Sequence, residues 1–469
     1  MDDIELGASA LIDGNDRHVF HRDVNRIYKV AVKGTGAIFF DHAGKSYLDG
    51  SSGSFVCNLG HGVESIAETM AEQASRIAFT NTRNFTSEPE LQLSAKLAAL
   101  SPMLDSRVWV CSSGTAANEA ATKMAYQYHA MRGNPGKTEV ISRWRSYHGS
   151  SLAALAMTGD LHKRAPFEAL LAQRPHIDPP YCFRCPWGKK RSSCALECAS
   201  ALETEILRLG PDKVSAVITE VVAGAPLGAL VVPDGYLEEV RNICDRYDVL
   251  LIVDEVISGV GRTGAWFATS RTGVVPDLIT LGKGLASGFS PVGALVVAGK
   301  VYEAFSSSGR NFVHYETFTG HALSACVANA VIEHIQRNDL LTTVDRNGRY
   351  LGQLLQALRD LPIVGDIRGA GFLWAVELVE DNLKNEPFAS DLRISDLVVD
   401  RALECGVLLI AGRGTADGLL GDTVLIAPPY VSTVQQLEQI VKTLRHVLET
   451  ISIECGTEIA RFNNQSEGI

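Results

Sequence analysis

The stretches VLLIVDEV (residues 249–256) and LITLGKG (residues 278–284) decide the fold class. Each starts as a continuous apolar run of strand length and then reaches a charged residue, Asp254 in the first and Lys283 in the second. Runs that are apolar throughout are typical of strands covered on both faces, as in parallel α/β sheets. We therefore expect two successive strands of such a sheet, with both charged side chains at the edge where open α/β sheets bind ligands.

The same pattern extends over much of the chain. Amphipathic helical stretches, such as residues 116–132 and 235–247, separate four further apolar runs: RVWVC (107–111), TEVISR (138–143), VSAVITEVV (214–222) and GALVVA (293–298). This alternation predicts an α/β fold with a large, mostly parallel central sheet.

The two ends of the chain differ from this central part. Residues 36–50, GAIFFDHAGKSYLDG, are typical of a β-hairpin, and the sequence after residue 331 mixes helices with short strands around glycine-rich turns. We predict three parts: an N-terminal segment over residues 1–65, a large domain over residues 66–330, and a C-terminal small domain over residues 331–469. The N-terminal segment is expected to contribute to the small domain and to a dimer interface.

Composition excludes several classes of protein. The chain has 469 residues, of which 46% are hydrophobic and 21% charged, and its 43 basic and 54 acidic residues give a net charge of -11. No basic run is suited to a phosphate backbone, so we expect no nucleic-acid partner. The first residues lack a secretory signal and no apolar run is long enough to span a membrane, so we expect a cytoplasmic protein without a membrane partner.

Four of the ten cysteines lie close together in the sequence, with the spacing C-x2-C-x8-C-x3-C: Cys182, Cys185, Cys194 and Cys198. Four thiolates at such spacing can surround a zinc ion. The alternative is a cysteine-rich surface loop without metal. The irregular spacers, with Pro, Trp and Lys between the pairs, favour that alternative, so we predict no metal and keep the four cysteines as zinc candidates.

A turn between a strand and a helix, SSGTA (residues 112–116), is suited to an anion. Small residues there leave backbone N–H groups accessible, and the helix N-terminus adds partial positive charge. The alternative is a plain helix cap made by the serine and threonine side chains. A nucleotide hydrolase could carry Asp254 as its metal-binding acid, but the chain has no G-x4-G-K-[ST] phosphate loop.

Anion turn, strand-end acid and isolated lysine together resemble the class III, or omega-type, aminotransferases of the pyridoxal phosphate fold type I superfamily. The motifs VDEVISGVGRTG and PDLITLGKG follow the family signature closely, and the resemblance runs from YLDGSSGSFVCNLGHG to IAPPYVST. It implies pyridoxal 5'-phosphate as the cofactor. Lys283 would form the Schiff base with it, and Asp254 would hold the pyridine nitrogen protonated.

The resemblance also assigns residues around the cofactor. Ser113, Gly114 and Thr115 would bind its phosphate. In the Tyr-His-Gly element, Tyr147 would stack on one ring face with His148 beside it, and Val256 would press on the other face. Glu220 would lie near the 3-hydroxyl side, although Val221 replaces the proline usual after it.

Three residues are expected at the edge of the site. Thr317 would reach the phosphate of the neighbouring subunit, which implies a homodimer with shared active sites, and a tetramer stays open; the alternative for Thr317 is a helix cap. Phe55 would lie over the substrate pocket, as would Tyr147. Arg413 would pair with a substrate carboxylate, and its alternative is a solvated loop arginine.

The resemblance implies a ping-pong transaminase that passes an amino group from an amine or omega-amino acid to a 2-oxo acid, pyruvate or 2-oxoglutarate. An aminomutase or a decarboxylase on the same scaffold is the nearer alternative, because the bond that breaks depends on how the pocket holds the substrate. A nucleotide-binding ATPase is the distant one.

Overall fold

The computed structural model describes residues 18–466, with side chains described as far as residue 454. Fifteen strands lie in this part of the chain, numbered in order: β1 Ala31–Thr35, β2 Ile38–Asp41, β3 Ser46–Asp49, β4 Arg107–Cys111, β5 Glu139–Arg143, β6 His176–Ile177, β7 Val214–Thr219, β8 Leu250–Asp254, β9 Leu278–Leu281, β10 Gly293–Val297, β11 Val364–Ala370, β12 Leu373–Leu378, β13 Val407–Leu408, β14 Ile410–Arg413 and β15 Asp422–Ile426.

Thirteen α-helices, numbered in the same way, lie in the described residues: α1 Ser52–Phe55, α2 Glu64–Arg76, α3 Glu88–Leu100, α4 Gly114–Met131, α5 Leu152–Met157, α6 Leu161–Arg164, α7 Glu197–Leu209, α8 Tyr236–Arg246, α9 Gly299–Ser308, α10 Ala322–Arg337, α11 Leu340–Gln356, α12 Ile394–Glu404 and α13 Val434–Ser466.

The central sheet has seven strands in the order β4-β10-β9-β8-β7-β5-β6. Only β10 runs against its neighbours β4 and β9, while β9, β8, β7, β5 and β6 are parallel. Strands β7 to β10 are buried along their whole length, because helices cover both faces of the sheet. The predicted α/β fold with a mostly parallel central sheet is confirmed.

The topology places the functional edge. Since β10 is the one antiparallel strand, β4, β5, β7, β8 and β9 all end at the same edge of the sheet. The segments that follow these strands therefore meet there, as Asp254 and Lys283 were expected to do.

The two ends of the chain meet in a second sheet. β2 and β3 form the predicted hairpin, and β3 pairs in parallel with β13 through Leu48 and Val407. A third sheet, β11-β12-β15-β14, completes the C-terminal part. The domain limits at residues 65 and 330 stay predictions.

The helical stretch expected from residue 321 to about residue 358 is two helices, α10 and α11. The break falls at Asp339, whose φ of 46° is left-handed and cannot continue a right-handed helix. No helix among the described residues is long and apolar enough to cross a membrane.

Candidate active site

A cavity of about 410 Å³ opens at the carboxyl edge of the central sheet. The turns after β4, β5, β7, β8 and β9 all contribute to its walls. Nine of the residues predicted from the sequence line it: Ser113, Gly114, Thr115, Tyr147, His148, Glu220, Asp254, Val256 and Lys283. Residues that are far apart in the sequence thus surround one space.

Asp254 ends β8 as a buried carboxylate with three partners. Its Oδ1 accepts the N–H of Val256 at 3.0 Å, and its Oδ2 accepts the Asn118 side-chain amide at 2.8 Å and lies 2.8 Å from His148 Nδ1. Burial alone raises the pKa of Asp254, but the hydrogen bond and charge of His148, with the two N–H donors, outweigh it and lower that pKa below its usual value. Asp254 therefore presents a negative charge to the cavity.

Lys283 follows β9 and lies at the start of a short 3₁₀ turn, Lys283–Ala286. Its φ of 43° is left-handed, which a lysine adopts only where the surrounding structure requires it. Burial lowers the pKa of Lys283 to about 8, although the charges of Asp254 and Glu220 act in the opposite direction. A substantial fraction of this amine is therefore neutral at moderately basic pH.

The anion turn joins β4 to α4. Ser113 caps α4, because its Oγ accepts the N–H of Ala116 at 3.1 Å. The helix-cap alternative therefore holds for this serine. The first turn of α4 nevertheless lines the cavity. A Cβ at Gly114 would lie 2.7 Å from the Val256 side chain, and one at Gly282 would lie 3.0 Å from the Gly114 nitrogen. The turn thus fits against β8 and β9 only with glycine at both positions.

Glu220 follows β7, and its charge partner is Arg143 at the end of β5. Arg143 Nη2 donates to the Glu220 backbone oxygen at 3.0 Å and to Oε2 at 3.3 Å, and both side chains are buried. Burial raises the pKa of Glu220, and the charges of His148 and Arg143 partly offset this. Arg143, which the sequence prediction missed, therefore supports a charged acid on this wall.

Of the two predicted aromatic residues, Phe55 lies near Lys283 and Tyr147 lies near a different lysine, Lys163. Phe55 is buried, and its ring centroid is 5.4 Å from Lys283 Nζ, although the neighbouring Val56 rather than Phe55 lines the cavity. Tyr147 lines the cavity and has Lys163 Nζ 5.4 Å from its ring centroid.

Besides Phe55, two predicted residues, Thr317 and Arg413, lie outside the cavity wall. Thr317 is exposed, on a segment held to the anion turn by Glu316, whose Oε1 accepts the Ser112 N–H at 3.0 Å. Arg413, in β14, forms an ion pair with Asp396 of α12. Arg413 is not among the residues that line the cavity containing Lys283, and its guanidinium is paired with Asp396 instead.

Asn118 is a site residue that the sequence prediction missed. Its amide donates to Asp254 Oδ2 at 2.8 Å and to the His148 backbone oxygen at 2.7 Å, and its Oδ1 accepts from Thr280 at 2.8 Å. It lies in α4, one turn after Gly114, so its spacing from the anion turn was a usable signal.

Comparison with known sequences agrees with this geometry. A family model described as aminotransferase class-III matches residues 19–448. The probable aminotransferase Rv3329 of Mycobacterium tuberculosis is 40% identical over 422 residues, which cover 90% of each chain. The putrescine–pyruvate aminotransferase of Pseudomonas aeruginosa is 32% identical over 425 residues, again 90% of each chain.

Solved structures give the same result. An omega-transaminase from Thermomicrobium roseum has a TM-score of 0.87 at 31% identity, and the match covers 95% of this chain and 98% of that one. The omega-transaminase of Pseudomonas jessenii in complex with PMP has a TM-score of 0.85 at 30% identity, covering 92% and 94%.

Proposed function

The chain belongs to the aminotransferase class-III family and is a transaminase, and we propose that it moves an amino group from an amine or omega-amino acid to a 2-oxo acid. The acceptors we propose are pyruvate and 2-oxoglutarate. One observation supports this above the others: Lys283, Asp254 and the first turn of α4 line the same cavity. The family assignment decides against the nucleotide hydrolase considered from the sequence.

The family is pyridoxal phosphate-dependent, and the residues of the cavity fit pyridoxal 5'-phosphate. The first turn of α4, with Ser113, Gly114 and Thr115, suits its phosphate, because N–H groups there have no acceptor within the helix. Asp254 suits a protonated ring nitrogen, since its carboxylate is held charged by buried donors. When bound, this cofactor withdraws electrons from the substrate carbon that carries the amino group.

The remaining wall residues orient the cofactor ring in this proposal. Tyr147 and Val256 would pack on its two faces, while His148 holds Asp254 through Nδ1. The Glu220 carboxylate, which pairs with Arg143, would lie near the 3-hydroxyl side of the ring. Contacts on both faces of the cofactor ring, together with the charge of Asp254 at its nitrogen, would set the orientation of the ring before substrate enters.

Lys283 then acts as the base. As a neutral amine, its Nζ takes the proton from the substrate carbon, and as an ammonium it returns a proton in the later step. A pKa of about 8 suits both directions, because neither protonation state is strongly preferred near neutral to mildly basic pH. The same residue serves the donor and the acceptor half-reaction, as a ping-pong mechanism requires.

We further propose that the active unit is a homodimer in which Thr317 belongs to the neighbouring site. Its exposed position, on a segment anchored at the anion turn, supports this. Mixing Thr317→Ala with Lys283→Ala subunits tests it, since a hybrid dimer regains one intact site only if Thr317 acts across the interface. Random reassembly should restore about a quarter of the wild-type activity. No recovery, with hybrid dimers shown by mass spectrometry, would contradict the shared site.

A panel of amino donors tests the function itself. Purified protein with added cofactor is incubated with each amine or omega-amino acid and either pyruvate or 2-oxoglutarate, and alanine, glutamate and carbon dioxide are measured. We expect alanine or glutamate in proportion to donor consumed, without carbon dioxide. Carbon dioxide release, or an isomerised donor without any amino acid product, would instead show a decarboxylase or an aminomutase.

A further inference from the structure

The four clustered cysteines surround one small space outside the active site. Cys182 begins the short helical turn Cys182–Arg184 and Cys185 follows it, while Cys194 and Cys198 flank the start of α7. All four side chains line a cavity of about 20 Å³, and all four are free thiols. Two segments separated by eight residues therefore bring their cysteines to the wall of one cavity.

The size of this cavity limits what could occupy it. A space of about 10–15 Å³ in this measure accommodates one water molecule, so a cavity of about 20 Å³ has room for a single ion. Four thiolates around one ion, with no further ligand position, form the closed tetrahedral site typical of structural zinc.

The charges beside the cavity are those that such a site requires. A zinc ion with four thiolates carries a net charge of about -2, which needs nearby cations or N–H donors. Lys189, Arg191 and Glu197 line the cavity. Glu197 pairs with Lys189 at 3.9 Å, and Arg191 Nη1 lies 3.6 Å from Cys194 Sγ, so Arg191 is the cation beside the thiols. Arg191, which lies between the two cysteine pairs in the sequence, is thus placed where it would offset the charge of the thiolates.

We propose that Cys182, Cys185, Cys194 and Cys198 bind one zinc ion. Binding replaces four S–H bonds with four Zn–S bonds and releases four protons, with no change in oxidation state. Among the residues that the structure describes, no three Cys, His, Asp or Glu side chains are already placed to hold an ion together. Closure of the site therefore requires the thiols to turn toward the cavity about their single side-chain torsion, together with the loss of their protons.

The zinc site would stabilise a structural connection and would take no part in amino transfer. The same segment carries Tyr181 and Arg184, which both bond to the buried carboxylate of Glu377 in β12. Tyr181 also packs under Arg145, whose Nη1 donates to the Thr415 and Ala416 carbonyl oxygens. Zinc would hold the cysteine segment against the C-terminal sheet by fixing the turn that carries these two side chains.

Metal analysis of the untagged full chain tests the proposal. The protein is produced in zinc-supplemented medium, purified with cofactor and without chelator, and dialysed against metal-free buffer before mass-spectrometric metal analysis. We expect about one zinc per chain, released into a chromophoric chelator when a mercurial blocks the thiols. Less than about a tenth of a zinc per chain, iron in place of zinc, or a disulfide within the cluster found by non-reducing peptide mapping would each overturn it.

Matched variants locate the ion. The double variant Cys182→Ser, Cys185→Ser should lose the zinc, while Cys326→Ser with Cys405→Ser, which lie elsewhere in the chain, should retain it. Arg191→Met leaves every ligand in place and should weaken zinc retention about tenfold in a chelator competition. Zinc that persists in the cluster double variant would contradict the assignment even if the wild-type content is near one. These readouts are independent of amino-transfer activity.

Discussion

The centre and the rim of the proposed active site differ in how their side chains are held. At the centre, Asp254 and Lys283 follow buried parallel strands, and Asp254 has three hydrogen-bond partners within the same chain. At the rim, Thr317 is exposed and Arg413 is paired with Asp396 rather than with the cavity. The central sheet determines where the residues at the centre lie. At the rim, Thr317 lies on an exposed segment, and the position of Arg413 depends on its ion pair with Asp396. Removing residues from each region should therefore have very different effects.

The largest effect is expected from Lys283→Ala. The variant loses the base that moves the proton, so kcat should fall by about 10³-fold or more. Alanine formation from the best donor and pyruvate measures this. Lys442→Ala removes an exposed lysine from α13 and should leave kcat unchanged. A Lys283→Ala variant with more than a tenth of the wild-type rate would remove this residue from the proposed mechanism.

Asp254→Asn should rank second, with a loss of roughly 10²–10³-fold in kcat, because the amide keeps the shape but not the charge. The adjacent buried acid is the matched control. Glu255 lies outside the cavity wall and accepts the N–H groups of Ala268 and Thr269 at 2.6 and 2.8 Å. Glu255→Gln should thus lower the melting temperature more than the rate. Equal losses of rate in the two variants would show that burial of the charge, and not its place in the site, matters.

The lowered pKa of Lys283 predicts unusual reactivity in the cofactor-free chain. A pKa of about 8 leaves half of this amine neutral at pH 8, whereas a lysine with the reference pKa near 10.4 is almost fully protonated, so Lys283 should react with an amine reagent about 10²-fold faster than an ordinary exposed lysine. Because the neutral form reacts, the rate should rise with pH up to about 8 and then level off. Peptide mapping by mass spectrometry measures the labelling rates of Lys283 and of the exposed Lys442. A labelling rate of Lys283 that keeps rising to pH 10 would contradict the burial of this amine.

Asn118→Ala should have a smaller effect, about tenfold in kcat, because one charge-stabilising hydrogen bond to Asp254 is lost while the carboxylate itself stays. The acidic limb of the pH–rate profile should move to higher pH, since the pKa of Asp254 rises without this donor. Asn329→Ala is the matched control: its amide is also buried in a helix but donates to the Pro89 carbonyl oxygen. That variant should change stability without moving the pH profile.

Arg413→Ala should have the smallest effect. Its ion pair with Asp396 is part exposed and stabilises the fold by at most about 1 kcal/mol. We expect the KM for pyruvate to change less than about threefold. A much larger rise in KM for pyruvate, with an unchanged KM for an aldehyde acceptor that lacks a carboxylate, would show that Arg413 leaves Asp396 and binds the substrate.

The sequence could predict which residues meet at the central cavity for a physical reason. Each of the strands around Asp254, Glu220 and Lys283 is apolar along its length, so its end and the polar residue after it can be located without knowing the packing. Parallel order then brings these ends together. Arg143 was missed because a buried polar residue within a strand has no sequence signal of its own until its partner is known, whereas Asn118 had one signal, its position one helical turn after Gly114.

The rim was harder to predict. The position of Arg413 depends on Asp396, which is 17 residues earlier in the sequence and on a different element, so nothing local shows the pairing. The break at Asp339 is similar, since the helical pattern continues on both sides of it. The cysteine spacing looked unfavourable for metal because sequence spacing does not show that both segments face one cavity.

Reduction of the cofactor-loaded protein with borohydride is the most direct test of the central claim. This treatment fixes the cofactor covalently to the lysine it is bound to, and peptide mapping then identifies that lysine. We predict the pyridoxyl mass on the peptide that contains Lys283, and its absence when the protein is first incubated with a good amino donor. The label on another lysine, or no label on a protein that transaminates, would contradict the proposed role of Lys283.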